Sequence, residues 1–411
     1  MVKSKTVALI GEVSSQIDID EDEVATIVKS IKSIHLFDDV EDFRNSSYIT
    51  YRLEDILLMV FLVVLERGVQ SFFFIADYLS VNIKRFRSYG LDYETMPSHD
   101  TLRRVFSLLD SKSLADMTIG RIYSYLEGLT STNNNSRSLL SVDGKMVNGT
   151  GRKDDCKKPK SNYNVLNVYD HTNSTCIESL VIDNKTNEIP TARDILSAMN
   201  LKNRIITADA MHCHHETLDL IKERKGHYLI TVKDNQELLH ADIKARMKEN
   251  DRMKIIEREK YTIEILNLPK GYECNEFKNI RSYVKLVSSK VKKRPCTRYF
   301  ITDLIKESEI EYAVENRWDI ENGLHKTKDT YLHEDDFRCT DSCAVKNMVI
   351  MNNLITQLLE IYIPLSGYNT HKAKIALRCN PAEEIAKVLA IMSSETITAK
   401  LKEQIAKKLA K

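Results

Sequence analysis

Paired cysteine motifs are missing from this sequence. Its eight cysteines include no CxxC pair, and Cys339 and Cys343, four apart, have no second Cys or His pair at zinc spacing. That argues against the common structural zinc folds and for reduced thiols in a cytosolic protein. A long apolar segment is missing too. The N-terminus shows no secretory apolar stretch. The strongest apolar run, Ile56 to Leu65, has only ten residues, too few to span a bilayer, so a buried helix and no membrane partner are expected. There is no internal repeat and no long low-complexity tract. Charge of one sign is not in excess: the net charge is +1 at pH 7, so charge must be read locally. Residues 18–23 are acidic. Residues 281–300 carry Arg281, Lys285, Lys290, Lys292, Lys293, Arg294 and Arg298 with no Asp or Glu. Such a stretch is either a solvated face or a surface that follows a phosphate backbone.

What is present is enough for several cores. The chain has 411 residues, 42% hydrophobic and 29% charged, which suits a globular protein of two or three domains. Residues 1–129 read as mostly helical. Tyr51 to Glu66 has an almost wholly apolar middle, and Val69 to Tyr89 continues in helical register, with Phe72, Phe73, Ile75, Ala76 and Leu79 available for a core. Ser98, after Pro97, suits the cap of a short basic amphipathic helix carrying Arg103 and Arg104. Residues 130–136 form a polar linker. The pattern then shifts to short apolar runs of period two. Ser138 to Val142, Tyr163 to Tyr169, Thr175 to Ile182, Arg204 to Ala208 and Tyr228 to Val232 are predicted strands, with helices at Ile189–Met199 and His214–Lys225. A β-rich insertion is predicted at about 250–304. Helical pattern resumes from Ile310 to about Tyr362, and residues 363–411 read as a basic helical tail.

Three carboxylates stand out by position. Asp143 follows an apolar strand in Ser141-Val142-Asp143-Gly144-Lys145. Asp209 follows another in Thr207-Ala208-Asp209-Ala210. Glu321 lies in the amphipathic segment Trp318-Asp319-Ile320-Glu321-Asn322. Each alone has a plainer reading: a turn residue, a helix cap and an exposed helical carboxylate. Together they are what two-metal phosphoryl transfer requires. Hard divalent cations take carboxylate oxygens, and two of them can hold the attacking and leaving oxygens of a phosphodiester.

Four segments in order resemble the H-repeat-associated DDE transposases of bacterial insertion sequences. They are Asp55-Ile56-Leu57-Leu58 through Pro97-Ser98-His99-Asp100-Thr101-Leu102-Arg103-Arg104; Asp143-Gly144-Lys145; Asn187-Glu188-Ile189-Pro190 through Asp209-Ala210-Met211-His212 to Lys233-Asp234-Asn235-Gln236; and Trp318 to His325 with Asp329, Glu334 and Asp335. The sequence departs from the family pattern at Asn148, where Arg is usual, at Arg317 for His, at Lys326 for Trp, and at Val314 for the Tyr of a related signature.

The resemblance implies an RNase H-like mixed sheet with helices and a β insertion, spanning residues 137–362, behind an all-α domain at 1–129. It implies that Asp143, Asp209 and Glu321 hold two Mg²⁺ (or Mn²⁺) ions. DNA, as element ends and target, is the implied partner. A homo-oligomer, with a dimer favoured, and a bacterial, nucleoid-associated cytoplasmic location follow. Lys145, Arg317 and Lys328 are either surface cations or phosphate clamps. Lys233, Asn187, Glu188, Asn235 and Gln236 are implied site support or DNA contacts, and Asn322 joins them. His325 is a plain helix residue, a DNA contact or an orienter. Trp318, the only tryptophan, is a core anchor or a base-stacking platform. Arg103 and Arg104 are expected at DNA ends, and Lys290, Lys292 and Lys293 along a DNA backbone. Two rivals stay open: an inactive DNA-binding relative of the same fold, and a metal-dependent nuclease without strand transfer.

Overall fold

Strands begin where β-branched and aromatic residues alternate, and they assemble into one mixed sheet. The computed structural model describes residues 5–14, 17, 35–69, 71–130, 137–151, 162–182, 188–248, 252–288 and 296–409. Its strands are β1 (Ser138–Val147), β2 (Tyr163–Asp170), β3 (Thr175–Ile182), β4 (Arg204–Ala208), β5 (His227–Val232), β6 (Lys254–Glu257), β7 (Tyr261–Asn267), β8 (Ser282–Ser288) and β9 (Cys296–Thr302). The order is β3-β2-β1-β4-β5-β9-β8-β7-β6. β1, β4 and β5 run parallel, β2 is antiparallel to β1, and β3 is antiparallel to β2. That is the RNase H-like arrangement. The β insertion is a meander, β6 to β9, and it extends the same sheet because β9 pairs antiparallel with β5.

Neighbouring residues on a strand point to opposite faces. Leu140, Ile206 and Ile230 pack with the helices Glu188–Ala198 and His215–Glu223. Leu139, Ile205 and Leu229 pack with Phe300 and with Ile310, Ala313 and Val314 of the helix Glu307–Asn316. Covering on both faces is why the parallel strands read as unbroken apolar runs.

The helical region is organised around one long helix, Ser342–Leu365. By length and composition it could cross a membrane, but 78% of its apolar window is buried inside the protein. Its buried amides tie three regions together. Asn347 Nδ2 donates to the carbonyls of Phe106 and Leu109 at 2.8 and 2.9 Å. Asn352 Nδ2 donates to Glu334 at 3.1 Å, and Asn353 Nδ2 to Ser179 on β3 at 2.8 Å. One hydrophobic core holds this helix, the helices before the sheet and those of the C-terminal tail. Residues 1–129 and 363–411 were expected as units of their own, yet they meet in that shared core. Most of the linker, 131–136, lies outside the described residues.

Local expectations largely hold, with informative shifts. Ser98 caps the helix His99–Leu108, its Oγ accepting from Thr101 N at 3.3 Å. The register expected from Val69 to Tyr89 splits into Phe72–Val81 and Ile83–Ser88. Phe73 lies outside the core, 61% exposed. The helix expected from Ile310 to Tyr362 is broken into Glu307–Asn316, a π-helical turn Ile320–His325, the short Lys326–Thr330 and the long core helix.

Candidate active site

Asp143 lies within β1 rather than at its end. β2 pairs with β1 through Val147, but pairing with β4 stops at Val142. Asp143 therefore sits where one side of the strand becomes free. Asp209 follows the last residue of β4 and precedes the turn Ala210–His212, and its side chain does not cap that turn. Glu321 stands exposed in the first turn of the π-helical segment. The three line one pocket with Ser141, Thr207, Arg317 and Trp318.

Burial and the negative charges of Asp209, Glu321 and Glu188 push the Asp143 carboxyl up to about 7. Among the described residues no three metal-ligating side chains stand close enough to share an ion. Mutual repulsion around a desolvated carboxylate is what a divalent cation relieves. The pocket offers carboxylate oxygens and neither Cys nor His, which fits Mg²⁺ or Mn²⁺.

Supporting groups surround these three. His325 Nδ1 lies 3.5 Å from Asp143 Oδ2, and its Nε2 is 3.4 Å from Asn167 Nδ2. Burial and Lys328 hold the His325 imidazole down at about 3, hence neutral. That sets an uncharged imidazole against the Asp143 carboxylate. Glu188 is buried; its Oε2 accepts from Asn164 Nδ2 at 2.9 Å and its Oε1 lies 3.5 Å from His212 Nε2. A Cβ on Gly144 would meet this carboxylate at 2.6 Å, so a larger residue beside Asp143 would displace the Glu188 side chain. Asn235 Nδ2 and Gln236 Nε2 each donate at 2.8 Å to the carbonyls of Ala210 and Cys213, bracing the turn after Asp209. Lys233 is exposed, 4.0 Å from Asp209.

Arg317 is buried, and Nη1 donates to Thr231 Oγ1 at 2.9 Å. Its guanidinium lies 4.8 Å from the Phe300 ring and 4.4 Å from that of Trp318, which Arg298 also approaches at 4.7 Å. Burial and Arg298 bring its affinity for the proton down to about 10 against the pull of the three carboxylates. Trp318 packs against the core beside Val314. Asn322 is exposed and lines the adjoining hollow between Trp318 and β8.

Two sequence expectations change. Lys145 is not turned to the open face: its ammonium pairs with Asp329 at 2.7 Å and with Glu334 and Asp335 at 3.1 Å. Lys328 is fully buried, 3.6 Å from Glu334. Neither offers exposed positive charge to a phosphate. Both belong to an internal ionic cluster beneath the site. Arg103 and Arg104 lie on the helix His99–Leu108, at least half-exposed in the case of Arg103. Asn187, Lys290, Lys292 and Lys293 lie outside the described residues.

Sequence reading missed a second support. Ser141 Oγ lies 2.5 Å from His171 Nε2, and His171 Nδ1 lies 3.7 Å from Asp319. Lys5 Nζ donates to Asp319 at 2.5 Å. This chain links a residue two before Asp143 to one two before Glu321. No spacing signal joins positions 5, 141, 171 and 319.

Residues 134–358 match the family model described as the transposase DDE domain, and residues 34–120 match the region described as associated with it. A putative protein, YbfL, of Escherichia coli K12 is 27% identical over 72% of this chain and 82% of its own length. The H repeat-associated putative transposase YhhI of the same strain is 26% identical over the same shares. The putative transposase YncI of Escherichia coli O157:H7 is 24% identical over 84% of this chain and 92% of its own. A fainter likeness, with TM-score 0.42 and 14% identity over 97% of this chain and 84% of the other, is to the piggyBac transposase in a cryo-EM structure of its synaptic complex with hairpin DNA. The family match covers more than half of the 411 residues, and the chain belongs to the DDE transposases.

Proposed function

We propose that this transposase cuts phosphodiesters at the ends of an insertion sequence and joins the freed 3′-OH to target DNA. The observation that carries this reading is the single pocket shared by Asp143, Asp209 and Glu321. These carboxylates would hold two Mg²⁺ or Mn²⁺ ions. Such ions supply Lewis acidity, activating the attacking oxygen and stabilising the leaving one.

The chain's own groups do the rest. Neutral His325 orients the Asp143 carboxylate from the helix side. Arg317 presents positive charge to the pocket wall, fixed by Thr231, where charge builds on the phosphoryl oxygens. Exposed Lys233 stands beside Asp209 to meet a phosphate. Arg103 and Arg104 are proposed contacts to element ends, and Lys290, Lys292 and Lys293 to the DNA backbone. Two copies of the chain would process two ends together.

Asp143→Asn, Asp209→Asn and Glu321→Gln are each expected to abolish Mg²⁺-dependent cleavage of end DNA while leaving DNA affinity within about twofold, since only the charged oxygens bind metal well. A strand-transfer assay with paired ends separates this reading from a nuclease without transfer and from an inactive DNA-binding relative. Near-normal cleavage by any one variant removes that residue from the set.

A further inference from the structure

The motif Ser98-His99-Asp100-Thr101-Leu102-Arg103-Arg104 has no part in the carboxylate pocket. It lines a different feature, a cleft of about 920 Å³ between the helical layer and the loop that follows the catalytic helix. Phe73 stands in this cleft with its ring stacked on the His99 imidazole, centroids 3.7 Å apart and planes 21° apart. Its neighbour Phe72 is buried, 5.4 Å from both Phe106 and Phe337. Ser71 Oγ caps the turn by accepting from Phe74 N at 3.1 Å. The backbone is thus fixed by its neighbours, and Phe73 is held in the open at 61% exposure. Its stack with His99 gives the cleft an aromatic surface open to solvent.

Arg103 and Arg338 complete the lining. Among the described residues Arg338 is exposed and no ion pair engages it. Four aspartates share the cleft, each with a partner. Asp100 lies 3.5 Å from His99 and 3.7 Å from Arg103, and Asp336 is 3.6 Å from His333. Asp335 is held by Lys145 and Asn148, and Asp341 caps the long core helix.

The cleft is joined to the site by β1. Asp143 lies on that strand, Lys145 binds the Asp335 of the cleft, and Asn148 reaches its floor. Five residues of extended chain separate Asp143 from Asn148, about 16 Å at the usual rise of a strand. An aromatic stack beside guanidinium groups is the arrangement that holds unpaired bases and their phosphates.

We propose that this cleft binds an unpaired stretch of DNA strand leading away from the carboxylate pocket, with a base stacked on Phe73 and a phosphate on Arg338. The proposal rests on the DNA-cutting reading above.

The test uses the full chain with Ca²⁺ in place of Mg²⁺, and two labelled duplexes that differ only in a short single-stranded thymidine extension. Anisotropy should show the extended duplex bound more tightly by on the order of tenfold. Phe73→Ala should remove that preference and leave affinity for the blunt duplex unchanged, while Phe73→Trp keeps it. Arg338→Ala should flatten the salt dependence for the extended duplex alone. Equal affinity of the wild-type chain for both duplexes, or a preference that survives Phe73→Ala, overturns the cleft and leaves the carboxylate reading standing. Failure of the wild-type chain to bind either duplex removes both.

Discussion

Lys145 and Lys328 show how much a residue's role depends on partners distant in sequence. Glu334 lies 189 positions from Lys145 and is buried between both lysines. Burial works to raise its carboxyl, and the ammonium groups of Lys328 and Lys145 overcome this and hold it down at about 2. An unfolded glutamate titrates near 4.3. The pair therefore contributes stability that is fully present above about 4.3 and lost as pH falls toward about 2. Glu334→Gln strands buried Lys328, while Lys145 keeps Asp329 and Asp335, and its expected cost is about 3–5 kcal/mol in urea unfolding at neutral pH. The variant should also lose less stability than the parent on acidification from pH 5 to pH 2.5. An equal acid slope in both chains would show that Glu334 does not carry this linkage. None of it was legible in the sequence, where lysines are read as exposed. Asp143 and Asp209 stand out in the sequence because each follows an apolar run. The desolvation of Asp143 and its repulsion by Asp209 do not.

The element that carries Glu321 is not the continuous helix its amphipathic pattern predicts. The chain passes from Glu307–Asn316 through a π-helical turn to Lys326–Thr330. π-Helical turns recur at functional sites, where they re-aim a side chain. Apolar periodicity cannot reveal one, because a single extra residue per turn only shifts the phase. This element is held from behind by the N-terminal helix Thr6–Ser14. Lys5 binds Asp319, and Thr6 donates through N to Thr172 O and through Oγ1 to Asn173, both at 2.7 Å. Lys5→Ala acts on Glu321 through Asp319, and His171→Gln acts through both Asp319 and Ser141, beside Asp143. They are expected to slow cleavage by roughly tenfold, as small misplacements do, with DNA affinity and the midpoint of thermal unfolding little changed for Lys5→Ala. If Lys5→Ala cleaves at the parental rate, the strap does not position the site.

At the scale of the whole molecule, the β insertion was expected from the strand pattern and the RNase H-like mixed sheet from the family resemblance, whereas the strand order and the shared helical core were not. A polar linker suggested a helical unit at residues 1–129. In the structure that region shares a core with Ser342–Leu365 and with the helices after it. Its apolar helix Leu53–Arg67 packs into that core, and Asn347 closes the carbonyls of Phe106 and Leu109. A fragment of residues 1–129 would expose this surface and is expected to show no cooperative thermal transition, whereas the full chain does. A sharp transition in the fragment would restore the separate unit. The central claim is that Asp143, Asp209 and Glu321 act together as the metal-holding set. Mn²⁺ binding followed by electron paramagnetic resonance tests it without relying on activity. Two Mn²⁺ per chain are expected for the parent in the presence of end DNA, with at least one lost in each of Asp143→Asn, Asp209→Asn and Glu321→Gln. The same Mn²⁺ stoichiometry and affinity in the parent and all three variants would contradict the account.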